Sequence, residues 1–191
     1  SLETEDVTHF REVIEQRKPL ILFDRVHEQL KVPTVTLDDF KAGYMATQHL
    51  IDQGYKNIAY VTTMHQIRIF SERLKGYKAA LADNNFPVNE EHIILGGLSI
   101  KDGRFGAGKL IRSANKPDAI IAADDFTALG VIQKLKESDE PLPKIGVIGF
   151  ANEAFSAYIT PSLSTIDQHP NQIGAECAKL FLSMVQENNP Y

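Results

Sequence analysis

Short apolar runs recur along the chain with amphipathic stretches between them, and this alternation is its dominant pattern. The runs are Leu20-Ile21-Leu22-Phe23, Ile58-Ala59-Tyr60-Val61, Ile93-Ile94-Leu95, Ala119-Ile120-Ile121-Ala122 and Ile145-Gly146-Val147-Ile148. Each is brief, rich in β-branched residues and free of polar alternation, as expected of strands buried on both faces. Pro33-Thr34-Val35-Thr36-Leu37 and Leu163-Ser164-Thr165-Ile166 predict two further strands. Between the runs, a helix over 42–52 would put Ala42, Met45, Ala46, His49 and Leu50 on one face and stop at Gly54. The next aligns Leu74, Tyr77, Lys78 and Leu81 and ends before Pro87. Ser99 with Asp102 resembles a capping box opening a helix around Phe105 to Ile111. Asp124 suits the cap of a helix carrying Ala128, Ile132 and Leu135. One helix precedes the first strand, and a last one runs from about Asn171 to Val185. Strand and helix alternating at this spacing predict an α/β fold of βαβ units, with parallel sheets covered by helices on both sides. The polar, proline-rich stretch from Ser138 to Pro143 reads as a surface turn.

Composition narrows the function. The 191 residues are 43% hydrophobic and 24% charged, which suits an ordinary globular protein with a core of useful size. A net charge of −5 argues against this chain gripping a phosphate backbone, so any nucleic-acid contact should come from another segment. Cys177, the single cysteine, cannot form an internal disulfide and reads as a small apolar residue of the last helix. No apolar stretch is long enough for a transmembrane helix, and no signal peptide is visible. The chain opens on Ser1 rather than Met, as a segment of a longer protein would.

Catalysis finds no candidate set. The glycines of Gly103-Arg104-Phe105-Gly106-Ala107-Gly108 are in the wrong order for a dinucleotide loop and fall inside a predicted helix. Neither a phosphate-binding Gly-Lys-Ser/Thr loop nor a Gly-x-Ser-x-Gly elbow occurs. The six histidines (His9, His27, His49, His65, His92 and His169) lack the spacing of a metal site, and His49 should serve packing. The expectation is therefore a protein that is not an enzyme and needs no cofactor or metal.

Binding is better supported. In an open parallel sheet, ligands sit outside the carboxyl ends of the strands. The residues just past those ends are Asp38 and Asp39, Thr63 to Gln66, Leu98, Asp124 and Asp125, and Asn152 and Glu153. Arg73, at the start of the following helix, can face the same edge. Taken singly, each aspartate reads as readily as a helix cap. Together with an amide and a guanidinium they suit a small hydroxyl-rich molecule held by paired hydrogen bonds.

The same junctions resemble those of the LacI/GalR transcription regulators. The stretches are Val35-Thr36-Leu37-Asp38-Asp39 through Ala42-Gly43-Tyr44-Met45-Ala46, Gly54-Tyr55-Lys56-Asn57-Ile58-Ala59, and Arg73-Leu74-Lys75-Gly76-Tyr77-Lys78-Ala79-Ala80-Leu81. Ala122-Ala123-Asp124-Asp125, Val147-Ile148-Gly149-Phe150 and Thr160-Pro161-Ser162-Leu163-Ser164-Thr165-Ile166 follow, in family order from about Pro19 to Met184. The resemblance implies a type I periplasmic-binding-protein-like fold of two Rossmann-like lobes, with effector held in the cleft between them. It implies a partial N-terminal lobe from 1–39 and 167–191, a C-terminal lobe from 40–166, and a helix-turn-helix domain lying outside this chain. It further implies a cytoplasmic homodimer, most simply a repressor, that binds operator DNA through that other domain under control of a small metabolite such as a sugar. Arg73 matches the family arginine that hydrogen-bonds the effector, and Asp124 and Asp125 match a junction of effector contact and helix capping. Asp38, Leu98 and Asn152, placed by the strand ends, complete the expected ligand set. Two positions depart: Leu98 stands where many members have a stacking aromatic, and Ala151 where they have an effector-binding aspartate. These departures leave room for a protein partner in place of the small effector. A periplasmic sugar-binding protein of a transporter is the alternative function on the same fold, although the helix from Arg73 and the Thr160–Ile166 return favour the regulator.

Overall fold

Seven parallel strands and six α-helices alternate through a computed structural model that describes residues 6–27, 29–65, 67–138 and 145–187. In chain order they are α1 (Thr8–Glu15), β1 (Leu22–Phe23), β2 (Thr34–Val35), α2 (Asp39–Asp52), β3 (Ile58–Thr63), α3 (Arg68–Asp83) and β4 (Ile93–Gly96). Then follow α4 (Ile100–Leu110), β5 (Ala119–Ala122), α5 (Asp125–Lys136), β6 (Gly146–Ala151), β7 (Ser164–Asp167) and α6 (Pro170–Gln186). Of the expected surface turn, residues 139–144 lie outside the described residues. The chain divides into two compact units. One comprises Ser1–Leu37, Ile67–Ile69 and His169–Tyr191; the other comprises Asp38–Gln66 and Phe70–Gln168.

The smaller unit pairs β1 and β2 in parallel, Leu22 against Thr34 and Phe23 against Val35, and contributes α1 and α6. Pro170 begins α6, where a missing N–H costs nothing. Cys177 is half-buried and free on that helix.

In the larger unit five parallel strands lie in the order β4-β3-β5-β6-β7. Every residue of β3 (Ile58 to Thr63) and of β5 (Ala119 to Ala122) is buried, which explains their uninterrupted apolar runs. The flanking strands β4 and β7 carry exposed positions, as edges should. Tyr60 on β3 faces Tyr77 of α3, ring centroids 5.3 Å apart, while Val61 faces Gly106 of α4. Helices therefore cover both faces of the sheet. Ala59, Val61, Ile120, Leu110, Val131 and Leu135 form the core beneath α4 and α5.

The helices start where polar caps satisfy their free N–H groups. The Asp38 carboxylate accepts from the Lys41 N–H at 2.9 Å, and Asp124 accepts from that of Thr127 at 2.6 Å. Ser99 accepts from the Asp102 N–H at 3.2 Å and donates its hydroxyl to the Asp102 carboxylate. That bond holds the Asp102 carboxyl below the usual range.

Glycines set the helix spacing. A Cβ on Gly43 would overlap the Arg73 carbonyl, and one on Gly76 the Phe40 carbonyl, so α2 and α3 cross with backbones in contact. The same reciprocal arrangement joins α4 to α5: Gly103 lies on the Thr127 carbonyl and Gly130 on that of Ile100. The glycine run at 103–108 thus lies within a helix, and its first member serves helix crossing. This spacing also corrects the expected face of α2. Met45 is 52% exposed and His49 is exposed, while Ala42, Gly43, Ala46, Thr47 and Leu50 are buried. The helix rotates because its closest neighbour is backbone, which calls for glycine at the contact rather than a large apolar side chain.

Two substitutions in one helix should therefore move stability in opposite directions. Gly103→Ala must displace the α5 backbone and should cost about 1–3 kcal/mol. Gly108→Ala would meet nothing closer than Lys134 Cε at 3.7 Å and should gain up to about 1 kcal/mol from helix propensity. Urea unfolding of both variants checks the pair.

Candidate functional site

The strand order defines where a ligand can approach. From β3 the chain steps outward to β4, then returns to the other side of β3 with β5. Connections on the two sides diverge there, opening a crevice beyond the carboxyl ends of β3 and β5. Thr63 ends β3, and Ala123 and Asp124 follow β5.

Arg73 is drawn to this place by its position on α3, and is only 2% exposed. Its Nε donates to Asp39 Oδ1 at 3.0 Å, and its Nη1 donates to the Ala123 carbonyl at 3.1 Å. The guanidinium lies 4.5 Å from the centroid of the Phe150 ring on β6. A buried cation needs such partners, because an unpaired charge in this environment would be severely destabilising. Nη2 makes no hydrogen bond among the described residues. Close by, Tyr60 and Thr62 bury hydroxyls that find no partner among the described residues, and burial pushes the Tyr60 phenol pKa up.

Asp125 occupies a second buried position, with no exposure at all. Its carboxylate fills the space left by Gly149 on β6, where a Cβ would collide with it. Thr165 of β7 donates its hydroxyl to Oδ1 at 2.7 Å, and the Glu153 N–H donates to Oδ2 at 2.8 Å. Burial raises the Asp125 pKa, and these donors offset only part of that rise. The segment it holds is strained: φ is +132° at Ala151 and +57° at Asn152.

The remaining candidates are spread along the same edge. Asp38 is exposed and engaged as the cap of α2; Asp124, half-buried, caps α5. Leu98 is half-buried in the turn between β4 and α4. Asn152 is exposed and donates from Nδ2 to Asp167 Oδ2 at 3.2 Å. Thr63 is buried, whereas Met64 and His65 are exposed; Gln66 lies outside the described residues. Sequence reasoning named Arg73 and Asp39 without pairing them, and it missed Phe150, Thr165 and Asp167. An isolated glycine inside a strand signals a close approach, so Gly149 could have pointed to Asp125.

The site and fold have clear counterparts. The family described as periplasmic binding protein-like domain matches residues 47–190. Catabolite control protein A of Priestia megaterium is 33% identical over 175 residues, covering 91% of this chain and 53% of that protein. The HTH-type transcriptional repressor PurR of Aliivibrio fischeri (strain MJ11) is 29% identical over 174 residues, covering 90% of this chain and 52% of the repressor. The solved structure of a LacI family transcriptional regulator from Enterococcus faecium, with bound ribose, superposes with a TM-score of 0.86 at 28% identity. That match covers 95% of this chain and 68% of the other. The chain spans about half the length of the curated relatives it matches.

The buried carboxylate predicts a pH signature. Because the folded-state pKa of Asp125 is raised above its unfolded value of 3.8, its contribution is fully present below that value and is lost as pH rises through the folded pKa. The stability of the wild type relative to Asp125→Asn should therefore increase between pH 7 and pH 4. Chemical denaturation across that range measures it; a decrease would mean that the donor hydrogen bonds outweigh burial.

Proposed function

The chain belongs to the LacI/GalR family as its periplasmic-binding-protein-like core, and on that premise we propose that it is the effector-responsive part of a bacterial transcriptional repressor. A small metabolite, a sugar or sugar derivative, binds at the carboxyl edge of the five-stranded sheet. Operator DNA is gripped by a helix-turn-helix domain outside these residues, since a chain of net charge −5 is poorly suited to that task. The observation that carries the reading is Arg73: a guanidinium built into the switch point of the sheet, whose Nη2 makes no hydrogen bond among the described residues. Asp38, Asp124, Asp125, Asn152 and Leu98 make up the rest of the edge. The larger unit serves as the C-terminal lobe. No helix among the described residues is long and apolar enough to cross a membrane, and we assign the regulator to the cytoplasm.

The regulator acts as a homodimer. Exposed Phe126 and half-buried Phe155 meet as a tilted pair, 5.2 Å between centroids, at the surface of the larger unit, and nearby Tyr158 is 87% exposed. Exposed aromatics grouped in this way favour self-association.

Selection from a random duplex pool by the full-length protein, followed by titration with sugars, sugar phosphates and purines, tests the function. At least one duplex should be enriched, and one small molecule should change its affinity by about 5- to 150-fold. Arg73→Lys should abolish that response, because an ammonium cannot reproduce the guanidinium fork. A protein that enriches no duplex and still binds sugar would support the transporter-type solute-binding reading instead. Sedimentation should report a dimer that Phe126→Glu weakens at least tenfold, an effect of about 1.4 kcal/mol.

A further inference from the structure

We propose that Arg112 and Lys134 converge over Gly108 to form a binding site for a phosphate dianion on the outer face of α4 and α5. Helices of a parallel sheet run back from its carboxyl edge, so the last turn of α4, where Gly108 lies, is directed away from the edge that carries Arg73. The site is therefore separate from the one assigned to the effector and does not depend on it.

The first observation is a glycine that packing does not require. Three buried glycines lie in α4, and two have a steric reason. A Cβ on Gly103 would come within 2.0 Å of the Thr127 carbonyl, and one on Gly106 within 2.9 Å of Val61 Cγ1. At Gly108 the nearest atoms would be Lys134 Cε at 3.7 Å and the two terminal nitrogens of Arg112 at 3.8 Å, which are ordinary contact distances. Alanine would fit there and would favour the helix. What glycine provides at 108 is a helix surface bare of side chain, and the groups that surround it are cations.

Arg112 follows the end of α4, yet its guanidinium folds back over the preceding turn rather than over the terminal carbonyls, where the helix dipole would hold it. It is exposed and makes no side-chain hydrogen bond or ion pair among the described residues. Lys134 reaches the same place from α5. One carboxylate joins them: Glu137 Oε2 accepts from Arg104 Nη2 at 2.8 Å and lies 3.7 Å from Lys134 Nζ. The hydrogen bond from Arg104 holds the Glu137 carboxyl below its usual range, so its charge is committed to that partner. Lys109 turns instead to the Phe105 ring, 5.8 Å from its centroid. Three cations (Arg104, Arg112 and Lys134) against one carboxylate leave two positive charges, in a chain whose net charge is −5. Free phosphate and phosphate monoesters approach that charge with opposite sign, whereas a nucleic-acid phosphodiester carries one. A guanidinium fork takes two phosphate oxygens, and an ammonium on the other side of the bare surface takes a third.

Calorimetric titration of the full-length protein with inorganic phosphate, sulfate and glycerol 3-phosphate, at ionic strength held constant with sodium chloride, tests this. Each should bind saturably, one per chain, with a Kd of about 1 mM or tighter. Tighter binding of glycerol 3-phosphate than of phosphate identifies a phosphorylated metabolite as the occupant, and the reverse identifies free phosphate. Arg112→Gln and Lys134→Gln should each weaken binding about 10-fold. Gly108→Ala separates the site from the fold: its methyl group fills the space between the cations, so phosphate affinity should fall about 10-fold while the urea midpoint rises. Absence of saturable binding up to about 10 mM overturns the proposal, as does equal displacement by chloride. Unchanged affinity in Arg112→Gln or Gly108→Ala places any bound phosphate elsewhere and overturns it too.

Discussion

The Arg73 guanidinium is the group around which the carboxyl edge of the larger unit is built. Removing it from water is costly unless each part of it finds a partner, and the partners come from three different places outside its own helix. Asp39 belongs to the first turn of α2, Ala123 follows β5, Phe150 lies on β6, and Arg73 itself is on α3. Satisfying one buried charge therefore fixes the ends of two strands relative to two helices. The burial also sets the direction of this charge in advance, so little ordering would remain to be done in the ligand contact proposed for it.

That arrangement requires α2 and α3 to approach very closely, and the reciprocal glycines Gly43 and Gly76 permit it. Each lies against the carbonyl of the residue three positions before its counterpart, Phe40 for Gly76 and Arg73 for Gly43. The carbonyl that receives Gly43 is that of Arg73 itself, so the helix crossing and the placement of the guanidinium are one feature. Gly103 and Gly130 repeat the device on the opposite face of the sheet, with Ile100 and Thr127. Both faces are thus covered by helix pairs in backbone contact, and the sheet between them tolerates only close-packed apolar residues such as Ile120 and Ile121.

Asp125 does for the β6–β7 corner what Arg73 does for the switch point. It differs in sign and in consequence. Its carboxylate is held by neutral donors, so desolvation dominates and its pKa rises. Ionising it in place costs stability, and the strained Ala151–Asn152 turn that it secures adds to that cost. Strain and buried charge are thus concentrated at one edge of an otherwise regular sheet, the edge where the ligand site is proposed.

The sequence by itself determined the element order, the parallel sheet and the helix caps, because these depend on local pattern. Uninterrupted apolar runs report burial on both faces, and Asp38, Ser99 and Asp124 sit where a helix needs an acceptor. It also put Asp124 and Asn152 at strand ends and Arg73 on the helix that follows β3, since topology alone carries them there. Tertiary structure decided the rest. The buried face of α2 followed from contact with backbone, which hydrophobic periodicity does not register, and so Met45 and His49 turned outward. The pairing of Arg73 with Asp39, across 34 positions, and of Asp125 with Thr165, across 40, depends on which helices and strands become neighbours. A carboxylate in sequence looks the same whether it caps a helix or is buried beneath a glycine. Only the packing around it separates the two.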